Sequence, residues 1–440
     1  MKHLFVNMTL AALTCAPILL GAAVLVASSQ PVQAAPQART TSFEAFDKRA
    51  RAGERLNVVF FGASLTWGAN ASDPIRTSYR ANIAKKLEAK YPAAHFKFHD
   101  GAIGGTNSRL GVFRLQRDAI RHKPDLLFLD FSANDDVYQD DRDTLSSYES
   151  LVRRVVTEAK CPIVQVIFPF EWNIKAGEMA KMKRRDAHRA IASAYGVPVG
   201  DAIEYITNRV DSGAVGIKTI WPLDGAHPGD KGYELFAEAA WNGLQGGIAN
   251  KATPKAPSKM LYDPTYMTWS RTRISSLGEL PKGWSIGIPK RTSAFFDFLM
   301  SRWLDDEAIA SNRLETVGAN GKKRSTPQEV ERLKVNFRGQ SLTLLGEATQ
   351  QSGKYRVYID GKLIERQDGS KTVADYEPAN FAKAIGGNGH HAQLIANDLD
   401  PNVEHLLEIE PIFSDDTAQE LRLESICVAG GAATVGQIIK

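Results

Sequence analysis

The chain has 440 residues, 43% of them hydrophobic and 24% charged, with a formal net charge of +4. That composition is ordinary for a globular protein, excludes a disordered, collagenous or coiled-coil chain, and leaves room for two domains and a short export segment. So small a charge, with no long Lys/Arg block, gives no footing for a nucleic-acid partner; Lys181-Met182-Lys183-Arg184-Arg185 reads as the wet face of a helix.

The N-terminus opens Met1-Lys2-His3 and runs apolar from Met8 to Ala27. Val32-Gln33-Ala34 then supplies the small-x-small pattern of a cleavage site before Ala35, so residues 1–34 are expected to be a signal peptide, with an uncleaved anchor as the alternative. The expected location is exported, periplasmic or secreted, and no stable membrane insertion is expected after cleavage, because no other segment is long and apolar enough to span a bilayer. Cys15 would leave with the signal, and Leu13-Thr14 before it is a poor lipid-attachment context. Cys161 and Cys427 remain, in different expected domains, which excludes a disulfide framework and any CxxC metal or redox site. Cys161 opens an apolar strand and is expected to be a buried small hydrophobe.

Beyond residue 42 strand and helix patterns alternate. Leu56 to Phe61 is a short apolar run ending in Gly62, the mark of a buried strand. A helix is expected over Tyr79–Tyr91, a strand over His95–His99, and a helix over Ser108–His122. Strand Asp125–Phe131, helix Ser147–Lys160, strand Pro162–Phe168, helix Glu178–Tyr195, a short strand at Val197–Val199 and a closing helix over Lys231–Leu244 follow. Strands spaced by helices predict an α/β domain, residues 42–250, with a parallel sheet covered on both faces and its active groups on loops beyond the carboxyl ends of the strands. Residues 250–259 form a Pro/Lys/Ala linker. From 260 to 440 the signals are β-like, including a hairpin from Lys354 to Ile364 turning at Asp360-Gly361, and they predict a β-sandwich, jelly-roll-like.

Four loops carry candidate chemistry. The first strand ends in Gly62-Ala63-Ser64-Leu65-Thr66-Trp67-Gly68, which sets a serine on a sharp turn at the sheet's upper edge. Thr66 stands where a GxSxG elbow needs its last glycine. The second ends in Asp100-Gly101-Ala102-Ile103-Gly104-Gly105-Thr106-Asn107, whose glycines expose backbone N–H groups but do not fit a dinucleotide fingerprint. The third ends in Asp130-Phe131-Ser132-Ala133-Asn134-Asp135, where an Asn amide can donate to a developing oxyanion. Before the last helix stands Asp224-Gly225-Ala226-His227-Pro228-Gly229; Asp and His three apart in a stiff turn can present both side chains to one side.

Taken together and in order, these blocks resemble those of SGNH/GDSL-type serine hydrolases over about residues 55–245. Gly-Ala-Ser-Leu resembles the family's first block, Gly105 its glycine, Ser-Ala-Asn-Asp its Gly-x-Asn-Asp, and Asp224-x-x-His227-Pro its last block. Two positions depart: Ala63 stands where the family has Asp, and Ser132 where it has Gly. The resemblance implies a flavodoxin-like three-layer sandwich with a five-stranded parallel sheet. It makes Ser64 the nucleophile, His227 the general base and Asp224 its orienting partner. The Ser64 and Gly105 N–H groups and the Asn134 side chain would form the oxyanion hole, with no cofactor or metal required. The implied activity is esterase, on an O-acylated, chiefly O-acetylated, carbohydrate; a lipase or small-ester esterase, a glycan O-acyltransferase and a non-catalytic glycan-binding protein are the alternatives. Trp67, Trp172 and Trp221 lie near the expected rim and are candidates for stacking on sugar, against simple packing. His390-His391 lacks zinc-ligand spacing and reads as a wet loop, and Asp135, Asp136, Asp140, Asp141 and Asp143 do not fit a calcium loop and read as solvated.

Overall fold

Alternation along the first strand sets the architecture. In the computed structural model, which describes residues 39–290, 301–318, 320–414 and 418–439, that strand is β1 (Arg55–Gly62). It sends Val58 and Phe60 into one apolar cluster and Val59 and Phe61 into another. A strand apolar on both sides must be covered on both sides. The expected export segment, with Cys15, lies outside the described residues.

The first half runs α1 (Phe43–Arg51), β1, α2 (Ser64–Trp67), α3 (Tyr79–Lys90), β2 (His95–Ala102), α4 (Ser108–Asp118) and β3 (Leu126–Leu129). It continues α5 (Arg142–Arg154), β4 (Ile163–Ile167), α6 (Lys183–Tyr195), β5 (Val199–Asp201), α7 (Ala202–Asp211), α8 (Ile217–Ile220) and α9 (Asp230–Ala249). The strands form a five-stranded sheet in the order β2-β1-β3-β4-β5, parallel throughout. On one face α1, α3, α7 and α9 bury Phe46, Ile83, Ile206 and Phe236; on the other α4, α5 and α6 bury Val112, Leu151 and Ile191. The expected three-layer α/β sandwich is therefore present.

Differences from the sequence reading lie at element ends. The fifth helix, α5, begins at Arg142 rather than Ser147 because Asp141 caps it, accepting the Thr144 N–H at 2.9 Å. Its continuation over Val155–Ala159 is a π turn. Cys161 and Cys427 are buried and free. Glycine lets α9 lie close on the sheet: a Cβ on Gly200 of β5 would meet the Ala239 carbonyl oxygen at 2.7 Å.

The linker does not hang free. Lys255 N–H donates to the Tyr195 carbonyl (2.9 Å), Arg153 Nη1 to the Pro257 carbonyl (2.9 Å), and Glu149 accepts the N–H groups of Leu261 (2.9 Å) and Tyr262 (2.7 Å). Beyond it the chain is β-rich: β6 (Trp269–Arg273), β7 (Trp284–Gly287), β8 (Glu307–Ser311), β9 (Arg313–Val317), β10 (Lys323–Pro327), β11 (Leu333–Arg338), β12 (Ser341–Ala348) and β13 (Lys354–Ile359). There follow β14 (Lys362–Leu363), β15 (Arg366–Asp368), β16 (Lys371–Val373), α10 (Pro378–Ala384), β17 (Gly389–Ala396), β18 (His405–Ile412), β19 (Glu420–Ala429) and β20 (Thr434–Ile438). Two antiparallel sheets, β14-β13-β18-β11-β20 and β17-β12-β19-β8-β7, enclose a core of Val335, Phe337, Leu342, Leu344, Val357 and Ile409, so the expected sandwich is present too. The hairpin turns at Asp360 (φ +53°) and Gly361 (φ +77°), the left-handed pair that an Asp-Gly turn requires.

The two halves share apolar packing. Trp303, Leu304, Leu345 and Cys427 of the second half belong to the same cluster as Ile103, Leu110 and Phe113 of the first. Residues 39–440 accordingly make one compact unit.

Candidate active site

Ser64 opens the short helix α2 directly after β1. Gly62 is required just before it, since a Cβ there would run into Thr66 and lie 2.5 Å from the Asp130 carbonyl oxygen. Gly68 ends the helix at φ +100°, and Arg80 fixes the turn by donating to the Thr66 and Trp67 carbonyls at 2.7 Å each. Ala63 is fully buried beside Phe61 and Ile103, so an apolar group fills the slot where the resembling enzymes carry Asp.

The strand order puts β1 between β2 and β3, so the loops bearing Gly105 and Asn134 flank the one bearing Ser64. Gly105 takes φ +73°, a conformation that favours glycine, and its N–H is on an exposed turn. Thr106 holds that turn by donating to the Ile103 carbonyl at 2.8 Å. Asn134 is half-buried in the turn after β3, where Asp135 N–H donates to the Phe131 carbonyl at 2.9 Å. The Asp135 carboxylate accepts the Ser108 N–H (2.9 Å) and so ties the Asn134 turn to the start of α4. Ser132, at the second departure, accepts the Phe168 N–H at 2.8 Å and donates toward Asp130 at 3.2 Å. Asp130 also accepts the Thr66 hydroxyl at 3.0 Å; burial pushes its pKa up to about 7.

The loop before α9 supplies the other two groups. Asp224 Oδ1 accepts the N–H groups of Ala226 and His227, each at 2.7 Å, which folds the segment into a tight turn. Both ends of the imidazole are engaged: Nε2 lies 3.0 Å from Ser64 Oγ, and Nδ1 lies 3.4 Å from Asp224 Oδ2. Burial depresses the His227 pKa below its ordinary value despite the opposing pull of Asp224. Burial tends to raise the Asp224 pKa, but the backbone N–H of His227, its ring and Asn70 outweigh it, and the net shift is downward. A neutral imidazole between a hydroxyl and an ionised carboxylate can take the hydroxyl proton and keep the resulting charge balanced.

Asn70 was not singled out in the sequence. It donates to Asp224 Oδ2 at 2.6 Å from a left-handed conformation (φ +65°) on the loop after α2, where Tyr233 holds the Ala69 carbonyl at 2.6 Å. A polar residue in a surface-type loop carries no signal of its own; only the fold brings it to Asp224.

The tryptophans separate. Trp172 is 46% exposed, and its ring lies against Phe170 at 4.6 Å and beside Gly225 in the Asp224–His227 turn. Trp67 is half-buried. Trp221 is 1% exposed and packs edge-on to Phe236 inside the core, so it does not reach the rim. Other readings also need correction. His390 and His391 are not in a wet loop: both are buried on β17, with His391 Nε2 2.6 Å from the Tyr355 hydroxyl. Asp135 is buried rather than solvated, and burial pushes its pKa up to about 6. Asp143 is half-buried and paired with Arg109 at 2.9 Å, whereas Asp136, Asp140 and Asp141 are exposed. Arg184 and Arg185 are buried and ion-paired, Arg184 with Asp141 and Arg185 with Asp201; of that basic stretch Lys181 and Lys183 face water. Pairing with carboxylates on neighbouring elements is what allows these arginines inside. Among the described residues no His/Cys/Asp/Glu group is arranged to hold a metal ion, and no helix is long and apolar enough to cross a membrane.

Residues 60–235 match the GDSL-like Lipase/Acylhydrolase family. The chain is 27% identical over 209 residues to an acetylxylan esterase of Geobacillus stearothermophilus, covering 42% of this chain and 92% of that one. Among solved structures it is similar to a two-domain esterase active on acetylated mannans, co-crystallized with mannopentaose, with TM-score 0.70 and 22% identity over 90% of this chain and 97% of that one. A second structure of such an esterase gives TM-score 0.67 and 24% identity, covering 88% of this chain and 94% of that one. At these identities the structural likeness bears on the fold, here that of both halves together. Residues 60–235 are thus a domain of the GDSL-like lipase/acylhydrolase family, and the chain is an ester-hydrolysing enzyme.

Proposed function

We propose that this chain is an exported serine esterase that removes O-acyl groups, chiefly O-acetyl, from a carbohydrate. The observation that carries the mechanism is the imidazole of His227, with Ser64 Oγ 3.0 Å from one nitrogen and Asp224 3.4 Å from the other. The substrate class is supported by the relatives, an acetylxylan esterase and an esterase active on acetylated mannans. Export is supported by the apolar N-terminal run and the Val32-Gln33-Ala34 pattern, and is tested by sequencing the N-terminus of the protein recovered outside the cytoplasm.

In this reading His227 Nε2 takes the Ser64 proton as Oγ bonds to the acetyl carbonyl carbon. Negative charge moves to the carbonyl oxygen, which the Ser64 and Gly105 N–H groups and the Asn134 amide receive. Collapse expels the sugar oxygen, which takes the proton from His227 and leaves acetyl-Ser64. Water, deprotonated by the same imidazole, releases acetate and restores the serine. Trp172, exposed beside the Asp224–His227 turn, is the side chain here best placed to stack on a sugar ring, with Trp67 a lesser candidate.

Acetate release from acetylated xylan and mannan, beside p-nitrophenyl esters of increasing length, tests the substrate class. Preference for long acyl chains, with no acetate from either glycan, would turn the reading toward a lipase. Replacing Asn134 with Ala is expected to lower kcat by about 100- to 1,000-fold with KM little changed, as loss of one oxyanion donor does. Steady-state kinetics on p-nitrophenyl acetate measure it.

The pH dependence follows from His227. Its depressed pKa keeps the ring neutral, and able to accept a proton, at pH 7. The acid limb of kcat/KM is therefore expected below the ordinary histidine value of about 6.5, with activity falling as pH drops through it. A limb above that value in a pH–rate profile would contradict the burial of the ring.

A further inference from the structure

The β-sandwich meets the hydrolase half at the loop that carries Gly105. Arg302 Nη2 donates to the Ala102 carbonyl at 2.9 Å. The Trp303 carbonyl accepts from Arg117, and its indole ring lies 5.9 Å from the guanidinium of Arg114. Arg114 in turn holds the loop from inside, donating to Thr106 Oγ1 (3.0 Å) and to the Gly101 carbonyl (2.5 Å). Trp303 is 7% exposed and packs in one cluster with Ile103 and Leu110.

His390 completes this arrangement. It sits on β17 at 4% exposure, with its ring 5.8 Å from that of Trp303 and 5.7 Å from that of Phe381. The Gly105 backbone lies near enough to the ring to act on it electrostatically, and both residues line one cleft of about 840 Å³ between the halves. Burial first, then Arg114 and His391, pushes the His390 pKa down to about 3, so the ring stays neutral throughout the working range.

Gly104 and Gly105 give the loop more backbone freedom than residues with side chains would. An oxyanion donor must not reorganise as charge develops, so that freedom has to be removed by contacts around it. We propose that the β-sandwich is a working part of the esterase site: His390, backed by Trp303 and Arg302, is a positioning residue that holds the Gly105 loop where its N–H receives the oxyanion. The proposal rests on the reading of Gly105 as an oxyanion donor.

The test uses the full chain, with active sites counted by a p-nitrophenyl phosphonate that labels Ser64. His390→Phe keeps a ring against Trp303 and Phe381 but removes the donor; His390→Gln keeps a donor. For His390→Phe, kcat per labelled site is expected to fall about 10- to 100-fold, the scale of a misplaced catalytic group. KM should stay unchanged for both p-nitrophenyl acetate and acetylated xylan, and the melting temperature should hold. His390→Gln should recover most of the rate, and Arg302→Met, acting on the same loop from another side, should lower kcat without raising KM. Unchanged kcat per labelled site in His390→Phe would overturn the proposal. So would a loss that merely tracks fewer labelled sites and a lower melting temperature, which is packing, or a KM rise confined to the polymer, which is a glycan contact. Failure of the underlying reading looks different: wild-type protein escaping the phosphonate, or Asn134→Ala turning over normally, removes the oxyanion site itself.

Discussion

Replacing Ser64 with Ala is expected to lower kcat on p-nitrophenyl acetate by roughly 10⁶-fold, the scale seen when a triad serine is removed. The hydroxyl, 3% exposed, has the His227 Nε2 as its hydrogen-bond partner, so its loss unpairs that ring nitrogen at the site and breaks no helix or strand hydrogen bond. Fold and melting temperature should therefore survive. The backbone N–H of residue 64 also remains, so glycan binding and the oxyanion donors persist while the covalent step is gone. His227→Ala should cost about as much, and the double variant little more than either, because hydroxyl and imidazole act as one unit. Parallel assays of acetate release and glycan binding separate this from a binding protein, in which Ser64→Ala changes neither. Ester cleavage by Ser64→Ala at the wild-type rate would remove the serine mechanism altogether.

How much of this was legible in the sequence depends on which physical signal each residue carries. The apolar run from Leu56 to Phe61 has to be a covered strand, and everything about where Ser64 sits follows from it. Asp224 and His227 were readable because a turn closed by the residue's own carboxylate is local: both backbone bonds to Oδ1 span three residues or fewer. Asn70 was not, since its bond to Asp224 crosses 154 positions and a lone loop asparagine has many other uses. Trp221 failed for a related reason. Its neighbours in sequence, Leu223 (76% exposed) and Asp224, are at the surface, but the turn swings the indole inward onto Phe236. Arg184, Arg185 and His390 failed because composition marks charged and imidazole side chains as wet. It cannot foresee the carboxylates that pair those arginines, or the Trp303 and Phe381 rings that pack on the histidine. The fold class survived such errors because it rests on the alternation of whole elements, whereas a site residue depends on a few long-range contacts.

Asp224→Asn is expected to lower kcat by about 10⁴-fold, although it changes one atom. Asp224 Oδ1 already serves two backbone N–H groups, and Oδ2 takes both the Asn70 amide and the His227 ring. An asparagine must offer its single oxygen to one side. If it keeps the two backbone donors, its NH₂ faces His227 Nδ1 and the Asn70 amide, so the ring can only accept there and its proton moves to Nε2. The nitrogen facing Ser64 then carries a proton and cannot take another, so the base is lost with the geometry intact. If the amide flips instead, the oxygen restores the correct tautomer, but two backbone N–H groups that fix the turn meet a donor. The first arrangement satisfies more hydrogen bonds and should prevail. Asp224→Ala leaves the tautomer free to equilibrate and is therefore expected to be no worse than Asp224→Asn, an ordering opposite to that of chemical similarity. KM should change little in either, because Asp224 acts through the ring. Steady-state kinetics on both variants decide the matter: asparagine close to wild type would mean that the carboxylate merely shapes the turn and that the 3.4 Å approach to Nδ1 carries no catalytic charge.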